Sequence, residues 1–210
     1  MKRALVRLAV FLVVLAVPLY WLYLASAMAL GPDPGKWLLD HLGQGALVLL
    51  LLTLSMTPLN RLTGWPLWMA LRRQLGLWAF AYACLHVAAF ILFILGGDLS
   101  QLLKELPNRP YVLVGALAFS GLIPLALTSN RWSMRTLGKR WKRLHRLAYL
   151  VVVLALLHML WVVRSDLQQW ALYAGIGGCL LLMRTPLISR WFAQVAVSRR
   201  GRPRKVANNP

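Results

Sequence analysis

Stretch after stretch of this chain is long and apolar enough to cross a hydrocarbon layer, and little else about its fold stays open once that is seen. About 20 mostly apolar helical residues span a bilayer, because a helix rises about 1.5 Å per residue and the hydrocarbon core is about 30 Å thick. Six candidate segments lie near residues 8–30, 43–59, 75–96, 110–128, 146–163 and 167–183. The second and sixth are short, so their ends are loosely fixed. With 60% hydrophobic residues and a mean hydropathy of +0.63, a water-soluble globular domain is excluded. The expected architecture is all-α: a polytopic bundle of six transmembrane helices.

Charge sets the orientation. With the N-terminus inside, the cytoplasmic pieces hold Lys2, Arg3 and Arg7, then Arg61, Arg72 and Arg73, seven basic residues from Arg131 to Arg146 and seven from Arg184 to Lys205. That is twenty of the 24 lysines and arginines. All five acids, Asp33, Asp40, Asp98, Glu105 and Asp166, fall in the opposite loops, with only Lys36, Lys104, Arg109 and Arg164. Cytoplasmic loops of membrane proteins are enriched in Lys and Arg, so the pattern predicts an N-in, C-in bundle. The same division accounts for the net charge of +19 and removes the need for a nucleic-acid partner. Residues 1–190 form the expected membrane domain. Residues 191–210, which include SRRGRPRK, are expected to be a disordered cytoplasmic tail lying against anionic membrane lipid.

MKRALVR ahead of an apolar run, with Ala25-Ser26-Ala27 after it, resembles a signal peptide, but the run exceeds a usual signal core and is read as a retained helix. Cys84 and Cys179 each fall inside a span and suit packing better than a disulfide framework. No internal repeat is evident, no glycine-rich phosphate loop occurs, and the 27 residues after Met183 are too few for a nucleotide-binding domain.

Four histidines remain. His41 sits at the outer start of the second span, where an interfacial hydrogen bond satisfies it. His86 and His158 lie deep inside spans, and polar groups at that depth are costly unless partnered. His86 follows Arg73 by 13 residues and His158 follows Arg146 by 12, so both imidazoles stand about 18–20 Å along their helices. Two level imidazoles on separate helices can approach one iron from opposite sides, and membrane cytochromes hold haem between helices in this way. Small and aromatic neighbours suit a macrocycle: Ala79, Tyr82, Ala83, Ala89, Phe90 and Phe93 on one side, Ala155 and Trp161 on the other. The competing explanation is a plain helix-to-helix hydrogen bond for each histidine. A transporter or channel with a histidine-lined path is the main functional alternative, but no intramembrane acid supports ion coupling. His145, in GKRWKRLHRLAY, could serve a second haem, touch a haem propionate or quinone, or face headgroups. Its 13-residue spacing from His158 turns the two about 220° apart, to different sides of the helix, so a two-haem stack with both ligands on one face does not follow. Arg72 and Arg73 are candidates for docking an anionic donor or a quinone headgroup.

These residues resemble the MsrQ (YedZ) family of haem-binding membrane subunits, and more broadly the ferric-reductase-like transmembrane domain. The resemblance covers roughly residues 5–190 and is most specific in RRQLGLWAFAYACLH (72–86), in TSNRWSMRTLGKRWKRLHRLAYLVVVLALLHMLW (128–161) and in the LTLSMTPL end of the second span. It implies that His86 and His158 are haem b ligands and that His145 serves haem or electron uptake. The wider family's second ligand pair is not matched, since Arg72 stands 14 residues before His86. The resemblance further implies a relay from the quinol pool or a cytoplasmic flavin reductase to a periplasmic MsrP-type molybdoenzyme that reduces protein methionine sulfoxide, with FMN as an associated cofactor. Both axial positions on the iron would be filled, so electron transfer is expected without substrate chemistry in this subunit. The outer loops, Asp98 to Arg109 and Arg164 to Gln169, would present the surface for the periplasmic partner.

Overall fold

A computed structural model describes residues 2–98, 100–101, 109–163 and 167–185. The tail at 191–210 and the outer-loop residues 102–108 and 164–166 lie outside these. Among the described residues there is no strand; the regular elements are helical.

Helix α1, Lys2–Ser26, ends where the Ser26 hydroxyl donates to the Tyr23 carbonyl, and the chain then turns through Met28 and Gly31, both at positive φ. Helix α2 is longer than the apolar count suggested. It runs Pro34–Thr63 rather than 43–59, because Asp33 caps its first turn by accepting from the Lys36 amide at 2.9 Å, Pro34 sits where its missing N–H costs nothing, and Gly64 ends it in the left-handed region at φ 69°. The early charges that hide this start pair with each other, Lys36 Nζ to Asp40 at 2.6 Å across one turn.

Helix α3, Leu67–Ala89, continues into a π-helical turn at Phe90–Ile94. Helix α4 is Pro110–Leu127, again with proline in its first turn. Two short helices follow: α5, Arg131–Leu137, capped by Asn130 accepting from the Ser133 amide, and α6, Lys139–Leu144. A turn at His145 and Arg146 separates α6 from α7, Leu147–Val162. Helix α8 is Leu167–Leu182.

Among the described residues, five helical stretches are long and apolar enough to cross a membrane: α1, α2, α3 with its π-turn, α4, and Lys139–Val162. Helix α8 is apolar but, with 16 residues, about 24 Å long, short of a full hydrocarbon layer. The protein is a multi-pass membrane protein, and five of its six expected spans meet the full length.

Two antiparallel hairpins dominate the packing. α2 lies along α3, α4 lies along α7, and α2 is central enough to touch α1, α7 and α8 as well. Leu54, Val151 and Val152 are almost wholly enclosed, whereas Leu12, Leu19, Leu92 and Leu117 are open, as lipid-facing side chains should be. Without a hydrophobic drive between helices in lipid, close packing and interhelical hydrogen bonds hold such bundles together. Gln44 donates to Tyr173 Oη at 2.8 Å, Trp170 Nε1 to the Leu156 carbonyl at 2.9 Å, and Arg184 to both Tyr149 Oη and the Leu54 carbonyl at 2.7 Å, so α8 is tied to α2 and α7 along its length.

Candidate functional site

His86 on α3 and His158 on α7 face one another, their ring centroids 6.2 Å apart and their planes at 86°. The backbones that carry them share almost no close approach, although each packs closely on its own hairpin partner. The imidazoles therefore reach into a seam between the hairpins.

Each ring is held in the same manner. His86 Nδ1 lies 2.9 Å from the Leu39 carbonyl of α2, and His158 Nδ1 lies 2.7 Å from the Tyr111 carbonyl of α4. A carbonyl can only accept, so Nδ1 carries the proton in both rings and Nε2 keeps its lone pair. Metal-binding histidines are commonly oriented by such a bond from the other ring nitrogen. One turn further along each partner helix stands a glycine: a Cβ added at Gly43 would come 2.8 Å from His86 Nδ1 and Cε1, and one added at Gly115 would come 2.8 Å from the same atoms of His158. Only a missing side chain lets the rings lie so flat against those helices.

Carbonyl, glycine and histidine recur at identical spacing, 39, 43 and 86 in one hairpin and 111, 115 and 158 in the other, each displaced by 72 residues. The sequence reading found no internal repeat; this one is structural and confined to a few positions. The signal that could have found it is the shared 72-residue offset of the histidine pair and the glycine pair.

No cluster of three or more His, Cys, Asp or Glu side chains occurs among the described residues, so protein groups alone do not complete a metal site there. Two imidazoles suit a metal whose remaining positions a macrocycle supplies. An imidazole binds metal at about 2 Å, and its ring centre lies on the order of 1 Å behind the nitrogen, so two axial ligands set their centroids about 6 Å apart. The observed 6.2 Å fits.

The other expected site residues fall as follows. Ala79, Ala83 and Ala89 are buried, Phe90 opens the π-turn, Ala155 is half-buried and packed on the core, and Trp161 is largely exposed. Phe93 lies against Gly35. Tyr82 is buried in the seam with α1 and α2, its hydroxyl donating to the Val14 carbonyl at 2.8 Å and its ring beside Gly45 and Trp21. His41 bonds the Trp37 carbonyl at 2.8 Å and stacks on the Trp37 ring at 3.5 Å. His145 sits 3.1 Å from Thr128 Oγ1 and stacks on Trp141; it and Arg146 keep right-handed helical dihedrals between α6 and α7. Arg72 is half-buried and within electrostatic range of Arg184, Tyr149 and His145. Arg73 is exposed and lines a groove between α1 and α3. The two arginines thus point to different surroundings.

A bundle of membrane-spanning helices with facing, carbonyl-anchored histidines defines a class of intramembrane redox protein, and residues 42–156 match the family described as ferric reductase like transmembrane component. That match includes Gly43, His86 and Gly115 and stops two residues before His158. The chain is also 45% identical over 163 residues to the protein-methionine-sulfoxide reductase heme-binding subunit MsrQ of Xanthomonas axonopodis pv. citri (strain 306), covering 77% of this chain and 75% of that one. It belongs to the MsrQ family, within the ferric-reductase-like transmembrane proteins.

Proposed function

We propose that this protein is an inner-membrane cytochrome subunit, six-spanning with both termini in the cytoplasm, which takes electrons on the cytoplasmic side and delivers them to a periplasmic MsrP-type molybdoenzyme that reduces protein methionine sulfoxide. His86 and His158 hold one haem b through Nε2. Bound haem supplies a one-electron iron couple, and the protein's part is to place and tune it. The Leu39 and Tyr111 carbonyls fix both tautomers and raise the basicity of the ligating nitrogens. Gly43 and Gly115 let each ring lie against its partner helix. Electrons arrive from the quinol pool or a cytoplasmic flavin reductase at the face carrying Arg72 and His145, and the periplasmic partner docks on the outer loops. The observation that carries this reading is the pair of anchored imidazoles 6.2 Å apart. Its support in kinship is the MsrQ relative, whose name states haem binding in a methionine-sulfoxide reductase system.

The test is the visible spectrum of detergent-purified protein, oxidised and then reduced with dithionite. Sharp b-type bands are expected on reduction. His86→Ala and His158→Ala should each lose them or give a five-coordinate spectrum, while His41→Ala, whose ring is engaged by Trp37, should keep them. Colourless wild-type protein, or wild-type bands in both ligand variants, would sink the assignment.

A further inference from the structure

Between α1 and α3 runs a groove of ≈570 Å³ with no role in the histidine site. One face of each helix lines it: Arg7, Leu8 and Phe11 from α1, and Arg73, Gln74, Leu77, Trp78 and Ala81 from α3. Its volume falls in the roughly 300–1,000 Å³ range of small-molecule sites. The groove is graded along its length. Arg7 and Arg73 stand at one end, and from Leu77 to Ala81 the wall is apolar, with the Phe11 and Trp78 rings 5.1 Å apart. From Arg73 to Ala81 is eight residues, about 12 Å of helix.

Among the described residues the cationic end is unanswered. Neither guanidinium has an acidic partner among the described residues. Asp33 and Asp40 are engaged near the start of α2 and Asp98 beside Ser100, and the remaining acids, Glu105 and Asp166, fall outside the described residues. Gln74 donates its amide to the Arg7 carbonyl at 2.8 Å, which pins the two helices together at the level of the charges, and both arginines line the groove there. Two cations at one end of an apolar trough complement an amphiphile with an anionic head: the phosphate is met by the arginines and the chain by the aromatic wall. A zwitterionic lipid presents the same phosphate with its charge cancelled nearby, and gains less. We propose that this groove holds one anionic phospholipid, its phosphate between Arg7 and Arg73 and one acyl chain along Phe11, Leu77 and Trp78.

Trp78 reports on the site directly. The full-length protein is reconstituted into nanodiscs of a phosphatidylcholine matrix carrying a small fraction of acyl-brominated phosphatidylglycerol, or the same fraction of brominated phosphatidylcholine, and tryptophan fluorescence is recorded. Stronger quenching by the anionic lipid is expected, with an apparent preference on the order of tenfold from two surface-level arginines. The share of the excess carried by Trp78, taken as wild type minus Trp78→Phe, should vanish in the Arg7→Gln, Arg73→Gln double variant, which removes the head site; the corresponding double lysine variant should keep it. Equal quenching by both lipids, or an excess that survives the double glutamine variant, overturns the proposal. Loss of the difference between the two brominated lipids on adding an equimolar short-chain ubiquinone analogue would assign the groove to a quinone and overturn it as well.

Discussion

Replacing Gly115 by alanine puts a methyl group 2.8 Å from His158 Nδ1 and Cε1, where ordinary contact begins at 3.4 Å. The ring must retreat by at least about 0.6 Å, and the neighbouring contact it most endangers is its 2.7 Å bond to the Tyr111 carbonyl. Overpacking of this kind costs about 1–3 kcal/mol, and a weakened hydrogen bond adds about 0.5–1.5 kcal/mol. Against this, alanine gains about 1 kcal/mol over glycine in a helix interior. The net penalty of about 0.5–3.5 kcal/mol falls on the posture of the ligand rather than on the helix. Loss of such orienting contacts lowers metal-site affinity about 10–100-fold. Titrating apo-protein in detergent with haemin, followed by difference absorbance, should show that loss in Gly115→Ala and equally in Gly43→Ala, whose added Cβ meets His86 at the same 2.8 Å. Gly175→Ala is the control, because nothing lies within 4 Å of its Cβ position. It should bind haemin as wild type and melt no lower. Wild-type affinity in both Gly43→Ala and Gly115→Ala would refute the reasoning, since the rings would then have tolerated the displacement.

Two further outcomes follow from interhelical bonds. Arg184→Ala removes two charged hydrogen bonds and the stacking of the guanidinium 5.1 Å from the Tyr149 ring centre, so thermal unfolding in detergent should show a loss of about 1.5–3 kcal/mol, with cysteine-crosslinking between α8 and α2 reduced. Tyr82→Phe deletes only the hydroxyl that donates to the Val14 carbonyl, and should cost about 0.5–1.5 kcal/mol by the same measurement while loosening α1 toward protease.

The histidine pair was legible because a polar ring deep in an apolar span stands out against its surroundings and has to be accounted for. The atoms that hold the pair were not. Leu39 and Tyr111 act through backbone carbonyls, which every residue possesses, and Gly43 and Gly115 act through what they lack. Neither leaves a chemical signature until two chains of spacing are compared. The start of α2 was hidden for a different reason: Lys36 and Asp40 depress the local hydropathy, yet they neutralise each other one turn apart and the helix runs through them.

The doubling of the histidine cradle bears on how the protein is made. The first half-clasp, carbonyl, glycine and ring together, is complete when α3 leaves the ribosome, and its counterpart emerges 72 residues later. At about 5–20 residues per second that is an interval on the order of 4–14 s. Throughout it, one imidazole stands in the membrane with its lone pair free; under the proposed haem assignment, whatever delivers the group would have to arrive late or be content with a single hold until the second hairpin closes.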